Sequence, residues 1–326
     1  MDNGGRARSE AWSSYWKSGA LHSCIGSYAG NYGGAIEEFW NSVFGRLQED
    51  SKVLDIATGN GALPKLLLDG FPDRFAHVDA VDYSTVAPAW YDPEKMERIA
   101  FHPNVAMEQL PFANRGFDAV ISQYGLEYGR RPESLEECLR VAKESAVFAF
   151  IWHHADGVLV RVAEQEVAHI DRLLADDGLV AAAMRIVPWL EAARKDPSAA
   201  GTNAEALECR ALYNASMSRL AEAIDASSVP DLLLESRERV HALVASAGAV
   251  EAQTLLEKLR AYREGLASAR LRSAEMVSSA LDVQQARDIQ AYFKRMRPAL
   301  HTRLEPVSQG AEGTIGWGFV AAMQEE

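Results

Sequence analysis

Three groups of residues in this 326-residue chain have the types and spacing to do chemistry. Asp55 is followed by Ile56-Ala57-Thr58-Gly59-Asn60-Gly61, a carboxylate beside a turn of small residues and two glycines. Without a Cβ, a glycine lets another group approach the backbone closely. About 20 residues on stands a second carboxylate, Asp82, at the spacing where nucleotide-binding folds hydrogen-bond a ribose. The third group is Tyr124, Glu127 and Tyr128 together with the later His153-His154, side chains able to accept or deliver a proton.

The elements that position them are short and apolar. Lys52–Ile56 is rich in β-branched and aliphatic residues and reads as a strand, and Leu63, Leu66 and Leu67 beyond the glycines recur at helical spacing. This strand, turn and helix aims the free N–H groups of a helix N-terminus at the space beside Asp55. A second strand, Ala76–Val81, ends at Asp82, and Gly116–Gln123 forms another. Ala146–Trp152 is almost continuously apolar, as a strand buried on both faces would be. Ligands of open α/β sheets sit outside the carboxyl ends of the strands, and all three groups fall there. Each proton-transfer candidate also has a plain structural reading: Glu127 as a helix-capping acid, Tyr124 and Tyr128 as packing aromatics, the histidines as neighbours facing opposite ways. Ala62-Leu63-Pro64 follows Gly61, so the third glycine of the dinucleotide fingerprint is missing and a nicotinamide cofactor is disfavoured.

Taken together, these residues resemble the class I S-adenosylmethionine-dependent methyltransferases. The family's first motif stands here as Asp55 to Gly61, with Ala57 in the place of the first glycine. Asp82-Tyr83 matches the acidic residue that binds the ribose and its neighbour. Val105-Ala106-Met107-Glu108-Gln109 looks like the loop that grips the adenine, with Ala106 where the family often has Asp. The resemblance implies a Rossmann-like, mostly parallel seven-stranded sheet, with Gly318–Met323 as a final antiparallel strand. It also implies S-adenosyl-L-methionine as cofactor, contacted by Asp55, Ala57, Thr58, Gly59, Asn60, Gly61, Asp82, Tyr83, Met107, Glu108, Gln109 and Gln123. The expected chemistry is methyl transfer to an oxygen or nitrogen of a small molecule, with Tyr124, Glu127, His153 or His154 supplying a base.

The rest of the chain frames that core. Residues 1–50 read as an N-terminal aromatic and helical cap, frayed over the first ten positions, then rich in Trp, Tyr and Gly. Tyr28 and Tyr32, beside glycines, are candidates for substrate contact along with Tyr128. Ile36, Phe39, Trp40, Val43, Phe44 and Leu47 mark an amphipathic helix. Residues 51–156 and 312–326 make up the expected α/β core. Residues 157–311 read as a large helical insertion before the last strand, a substrate lid or oligomerisation surface punctuated by Pro188, Pro197 and Pro230.

The net charge of −13 argues against a surface built throughout to grip phosphates, although Arg260, Arg263, Arg270, Arg272, Lys294, Arg295 and Arg297 leave an RNA or protein substrate as an alternative. A cofactor-binding regulatory protein without catalysis is a third reading. Three scattered cysteines suit a reducing cytoplasm and give no metal spacing. No apolar run long enough for a membrane span is present. A homodimer is compatible with the insertion.

Overall fold

The computed structural model describes residues 3–23, 28, 30–196 and 203–323; Cys24 and Pro197 lie outside them. Seven strands form one sheet in the order β3-β2-β1-β4-β5-β7-β6. They are β1 (Lys52–Ile56), β2 (His77–Asp82), β3 (Ile99–Pro103), β4 (Phe117–Gln123), β5 (Ala142–Trp152), β6 (His301–Gln309) and β7 (Gly313–Ala322). The first five pair in parallel, whereas β7 is antiparallel to both β5 and β6. This is the Rossmann-like methyltransferase sheet that the motifs imply.

The central strands are apolar because helices cover both of their faces. On one face α2 (Gly34–Phe44) buries Ile36, Phe39, Trp40, Val43 and Phe44, and α3 (Ala62–Gly70) adds Leu63, Leu66 and Leu67 to the same cluster. On the other, α4 (Arg131–Val141) contributes Leu135, Cys138 and Leu139. Register fixes which side chains share a face: Asp55 pairs with Ala80 on β2 and Ile121 on β4. Side chains alternate along a strand, so Asp55, Asp82 and Gln123 all project from one face at the carboxyl ends of three adjacent strands.

Two strands escape a sequence reading. β3 is a half-buried five-residue segment ending in proline, and β6 is a polar edge strand whose residues are mostly exposed. With α10 (Val283–Met296), which buries Phe293 against the sheet, β6 belongs to the core rather than to a lid. The N-terminus also differs from the expected fraying. Asn3–Trp16 is a helix, α1, docked through Ala11, a 3.3 Å bond from Ser9 Oγ to the Tyr83 carbonyl, and a 2.9 Å bond from the Thr85 N–H to Ser13 Oγ. Its polar sequence is ordered by these tertiary bonds and not by helix propensity.

The chain separates into two compact units, Met1–Arg161 with Glu275–Glu326, and Val162–Ala274. Helices α5 (Val158–Leu174) and α9 (Ala252–Ser279) cross the boundary in sequence, and α6 (Leu179–Lys195), α7 (Ala204–Ala226) and α8 (Asp231–Ala245) lie within the second unit. That unit has its own core, in which Leu173, Leu179, Val180, Leu255, Leu259 and Tyr262 meet. Pro188 lies inside α6 instead of ending a helix. It is exposed, and its ring removes one helical hydrogen bond, that to the Met184 carbonyl. No helix among the described residues is long and apolar enough to cross a membrane.

Candidate active site

The strand ends and the N-terminal cap enclose a cavity of about 610 Å³, within the range of small-molecule sites. Its polar half lies at β1 and β2. Asp55 is 1% exposed, and neither carboxylate oxygen has a hydrogen-bond partner of good geometry among the described residues. Burial pushes its pKa up to about 8; the Thr58 hydroxyl offsets part of the rise and the charge of Asp82 adds to it. A buried, underpartnered carboxylate facing a cavity is a ready counter-charge for a cationic ligand.

Asp82 is better served. Its two oxygens accept the Gly59 N–H at 2.8 Å and the Ser84 N–H at 2.7 Å. Burial raises its pKa, and these bonds pull it back. Each oxygen keeps a free lone pair for a hydroxyl. Tyr83, Met107 and Glu108 line the cavity beside it, with Glu108 accepting the Arg130 N–H at 2.9 Å.

The glycine turn packs against the cap. A Cβ on Gly59 would lie 2.6 Å from the Trp16 ring, and one on Gly61 would lie 2.5 Å from Phe101. Asn60 Nδ2 donates to the Trp16 and Ala20 carbonyls, at 2.9 and 2.7 Å. Gly59, Asn60 and Gly61 thus sit outside the cavity lining, where they hold the cap to the turn. Ala57 does line the cavity and adopts a left-handed φ of 57°. Its methyl group fits because Gly125 lies opposite: a Cβ there would meet the Ala57 Cβ at 2.3 Å.

Five other expected site residues lie outside the cavity lining. Gln109 is exposed, and Tyr28 is 69% exposed with its hydroxyl on Ser18 Oγ. His153 and Glu127 form a buried pair, in which one Glu127 oxygen accepts both the His153 N–H at 2.9 Å and Nδ1 at 2.7 Å. His153 stacks on Tyr124, and Tyr128 meets it edge-on, so the pair stands behind the two cavity tyrosines. His154 turns away, stacked on Trp317 with Nδ1 accepting the Asp156 N–H, and it too is outside the lining.

The cap supplies what the motifs did not name. Arg8, Trp12, Trp16 and His22 line the cavity together with Tyr32, Tyr124 and Tyr128. Trp12 and Trp16 stack with ring centroids 5.7 Å apart, and Arg8 pairs with Glu275 at 2.5 Å. His22 is 4% exposed and stacks on Tyr32 at 4.3 Å. Burial holds its pKa below the ordinary histidine value, against a hydrogen bond to the Gly30 backbone that acts the other way. The signal for these residues was compositional, a run of aromatics beside glycines, and carried no spacing from which a role could be read.

The basic residues of the helical region are in part already engaged. Arg270 binds Asp171, Arg297 binds Glu144 and the Leu139 carbonyl, and Arg295 lies over the Tyr292 ring.

Residues 53–145 match a family model described as a methyltransferase domain. Among solved structures, the chain resembles an S-adenosylmethionine-dependent methyltransferase from Aquifex aeolicus (26% identity over 37% of this chain and 65% of that one, TM-score 0.32). It also resembles the YcgJ protein from Bacillus subtilis (22% identity, 42% and 59% covered, TM-score 0.33). A third is geranyl diphosphate C-methyltransferase from Streptomyces coelicolor A3(2) (15% identity, 47% and 66% covered, TM-score 0.37). In each case the match spans less than two thirds of the relative's own chain. No curated protein matches the sequence. Residues 53–145 form a methyltransferase domain.

Proposed function

We propose that the protein transfers the methyl group of S-adenosylmethionine to an oxygen or nitrogen of a small-molecule acceptor. The observation that carries this reading is the pair of buried carboxylates, Asp55 and Asp82, on neighbouring strand ends of one cavity, the first of them lacking a good partner. The cofactor brings a methyl group already activated on a cationic sulfonium. The chain's part is to hold two substrates in line and to exclude water.

In this reading Asp82 accepts from the ribose hydroxyls, and Tyr83, Met107 and Glu108 flank the adenine. Asp55 and Thr58 face the cationic amino-acid end, beside Ala57. Gly59, Asn60 and Gly61 shape the turn and anchor the cap. The aromatic cap half, with Tyr32, Tyr124 and Tyr128, receives a compact acceptor, and Glu127 and His153 hold Tyr124 and Tyr128 in place. His154 and Gln109 have no role in it. The acceptor is a diffusible cytoplasmic compound rather than RNA, because several arginines that would form a basic face are occupied by carboxylates and a ring.

Titration calorimetry with S-adenosylmethionine and S-adenosylhomocysteine tests the reading. Micromolar binding of both supports it, and no heat from either overturns it. A methyl-transfer assay over metabolite fractions then separates an enzyme from a cofactor-binding regulator.

A further inference from the structure

We propose that Gln123 selects the methyl acceptor, offering it a fixed hydrogen-bond donor, and that the accepting atom is therefore an oxygen. This rests on the cofactor reading above. Gln123 ends β4, is 8% exposed and lines the cavity. One end of its amide receives the Trp40 Nε1–H at 2.6 Å. An indole N–H can only donate, so the atom it meets is the carbonyl oxygen, and the usual ambiguity of amide orientation does not arise. Trp40 is fully buried in α2, in the cluster beneath the sheet, and cannot turn away. The amide nitrogen Nε2 is left without a partner among the described residues. The oxygen already accepts from Trp40, so the atom of Gln123 left without a partner among these residues is its N–H donor.

Position in the sheet assigns that donor to the acceptor rather than to the cofactor. The strand order is β3-β2-β1-β4, with Asp82 at β2, Asp55 at β1 and Gln123 at β4. A nucleoside held at Asp82 and the loop after β3 extends across β1, and its reactive end then faces β4. Tyr124, Tyr32 and His22, the last stacked on Tyr32, line the same cavity. A hydroxyl, phenolate or carboxylate can accept from Nε2. An amine needs its lone pair for the methyl group and its N–H groups would confront a donor, with Asp55 already committed to the cofactor. A site built around one buried polar group rejects a ligand that leaves that group unpaired.

Gln123→Glu preserves the Trp40 bond, since a carboxylate also accepts from the indole, and replaces the donor by an acceptor. The first measurement is S-adenosylhomocysteine affinity by calorimetry. The expected result is a change of less than about threefold; a loss of tenfold or more assigns Gln123 to the cofactor and overturns the proposal. The second uses the protein saturated with S-adenosylhomocysteine and two matched probe pairs, phenol with aniline and benzoate with benzylamine. The oxygen members are expected to bind about tenfold tighter to the unaltered protein, with the order reversed in Gln123→Glu. Equal binding, tighter amines or no binding of any probe overturns the proposal.

Trp40→Phe gives an independent arm, because it frees the amide to rotate without altering a residue of the cavity. It is expected to erase the oxygen preference while leaving S-adenosylhomocysteine affinity within threefold. Discrimination that survives in this variant, once thermal melting confirms that it is folded, overturns the proposal. Failure of the unaltered protein to bind S-adenosylhomocysteine at all would instead defeat the cofactor reading and is seen before any probe is added.

Discussion

The two halves of the cavity are built on different principles. At the strand ends, Asp55, Thr58 and Asp82 lie within 28 residues of one another and are held by a sheet register and a tight turn. At the cap, Arg8, Trp12, Trp16 and His22 come from a helix and loop that meet the core only in the folded chain. The first half is polar and acidic. The second is aromatic, and its anchorage to the turn runs through one asparagine and one ring. With the cofactor proposed for the strand-end half and the acceptor for the docked half, either could be altered without rebuilding the other.

The largest expected effect separates stability from binding in the polar half. The Asp55 carboxyl is raised to about 8 in the folded chain, so the folded state holds this proton more tightly than the unfolded state does. The group's contribution to stability is full at and below about pH 4 and is lost as pH rises toward 8. Asp55→Asn should therefore raise the melting temperature more at pH 8 than at pH 5, corresponding to a few kcal/mol at the higher pH. The same variant should bind S-adenosylmethionine more weakly. An equal gain at both pH values would break the assignment of Asp55 as a strained counter-charge.

Asp82→Ala comes next. It removes the acceptor of two backbone N–H groups as well as the proposed ribose contact, and calorimetry should show cofactor affinity falling by roughly 2 kcal/mol. If Asp82→Ala and Asp55→Asn instead weaken binding alike and neither gains stability, the two carboxylates are not distinct in role.

The fit of Ala57 against Gly125 provides a smaller and cleaner test. Gly125→Ala should cost about 1.5 kcal/mol in denaturant unfolding, because its Cβ would sit 2.3 Å from that of Ala57. Ala57→Gly removes the opposing methyl group and relieves a left-handed alanine, so the double variant should recover most of the loss. Additive costs in the double variant would show that the clash is not between these two residues.

Trp16→Ala should have the smallest global effect, about 1 kcal/mol for a partly exposed ring. Its signature is local: hydrogen exchange in α1 should accelerate while β1 and β4 stay protected. Exchange that speeds up equally in the strands would mean that the cap and the sheet are one cooperative unit.

Much of the polar half was legible because its information is local. A β-branched run, a carboxylate, small residues and helical leucines occupy 17 consecutive positions, Lys52 to Leu68, and the strand, turn and helix appear there. The paired histidines show the opposite. His153 and His154 face different partners because strand alternation separates neighbours, and only packing decides that His153 meets Glu127 while His154 meets Trp317. β6 and α1 went unread for a related reason: a polar edge strand and a polar helix carry almost no periodic signal, and their order comes from contacts distant in sequence.

By itself the sequence determined the methyltransferase sheet and the carboxylates at its strand ends, because alternation, helical spacing and turn chemistry act over a few residues. Only the tertiary structure decided that the Trp16 ring packs against Gly59, and that the Gln123 amide is held in one orientation by Trp40. Those outcomes depend on which side chains meet across 40 to 83 residues of chain, and close packing settles them only when the whole core has formed.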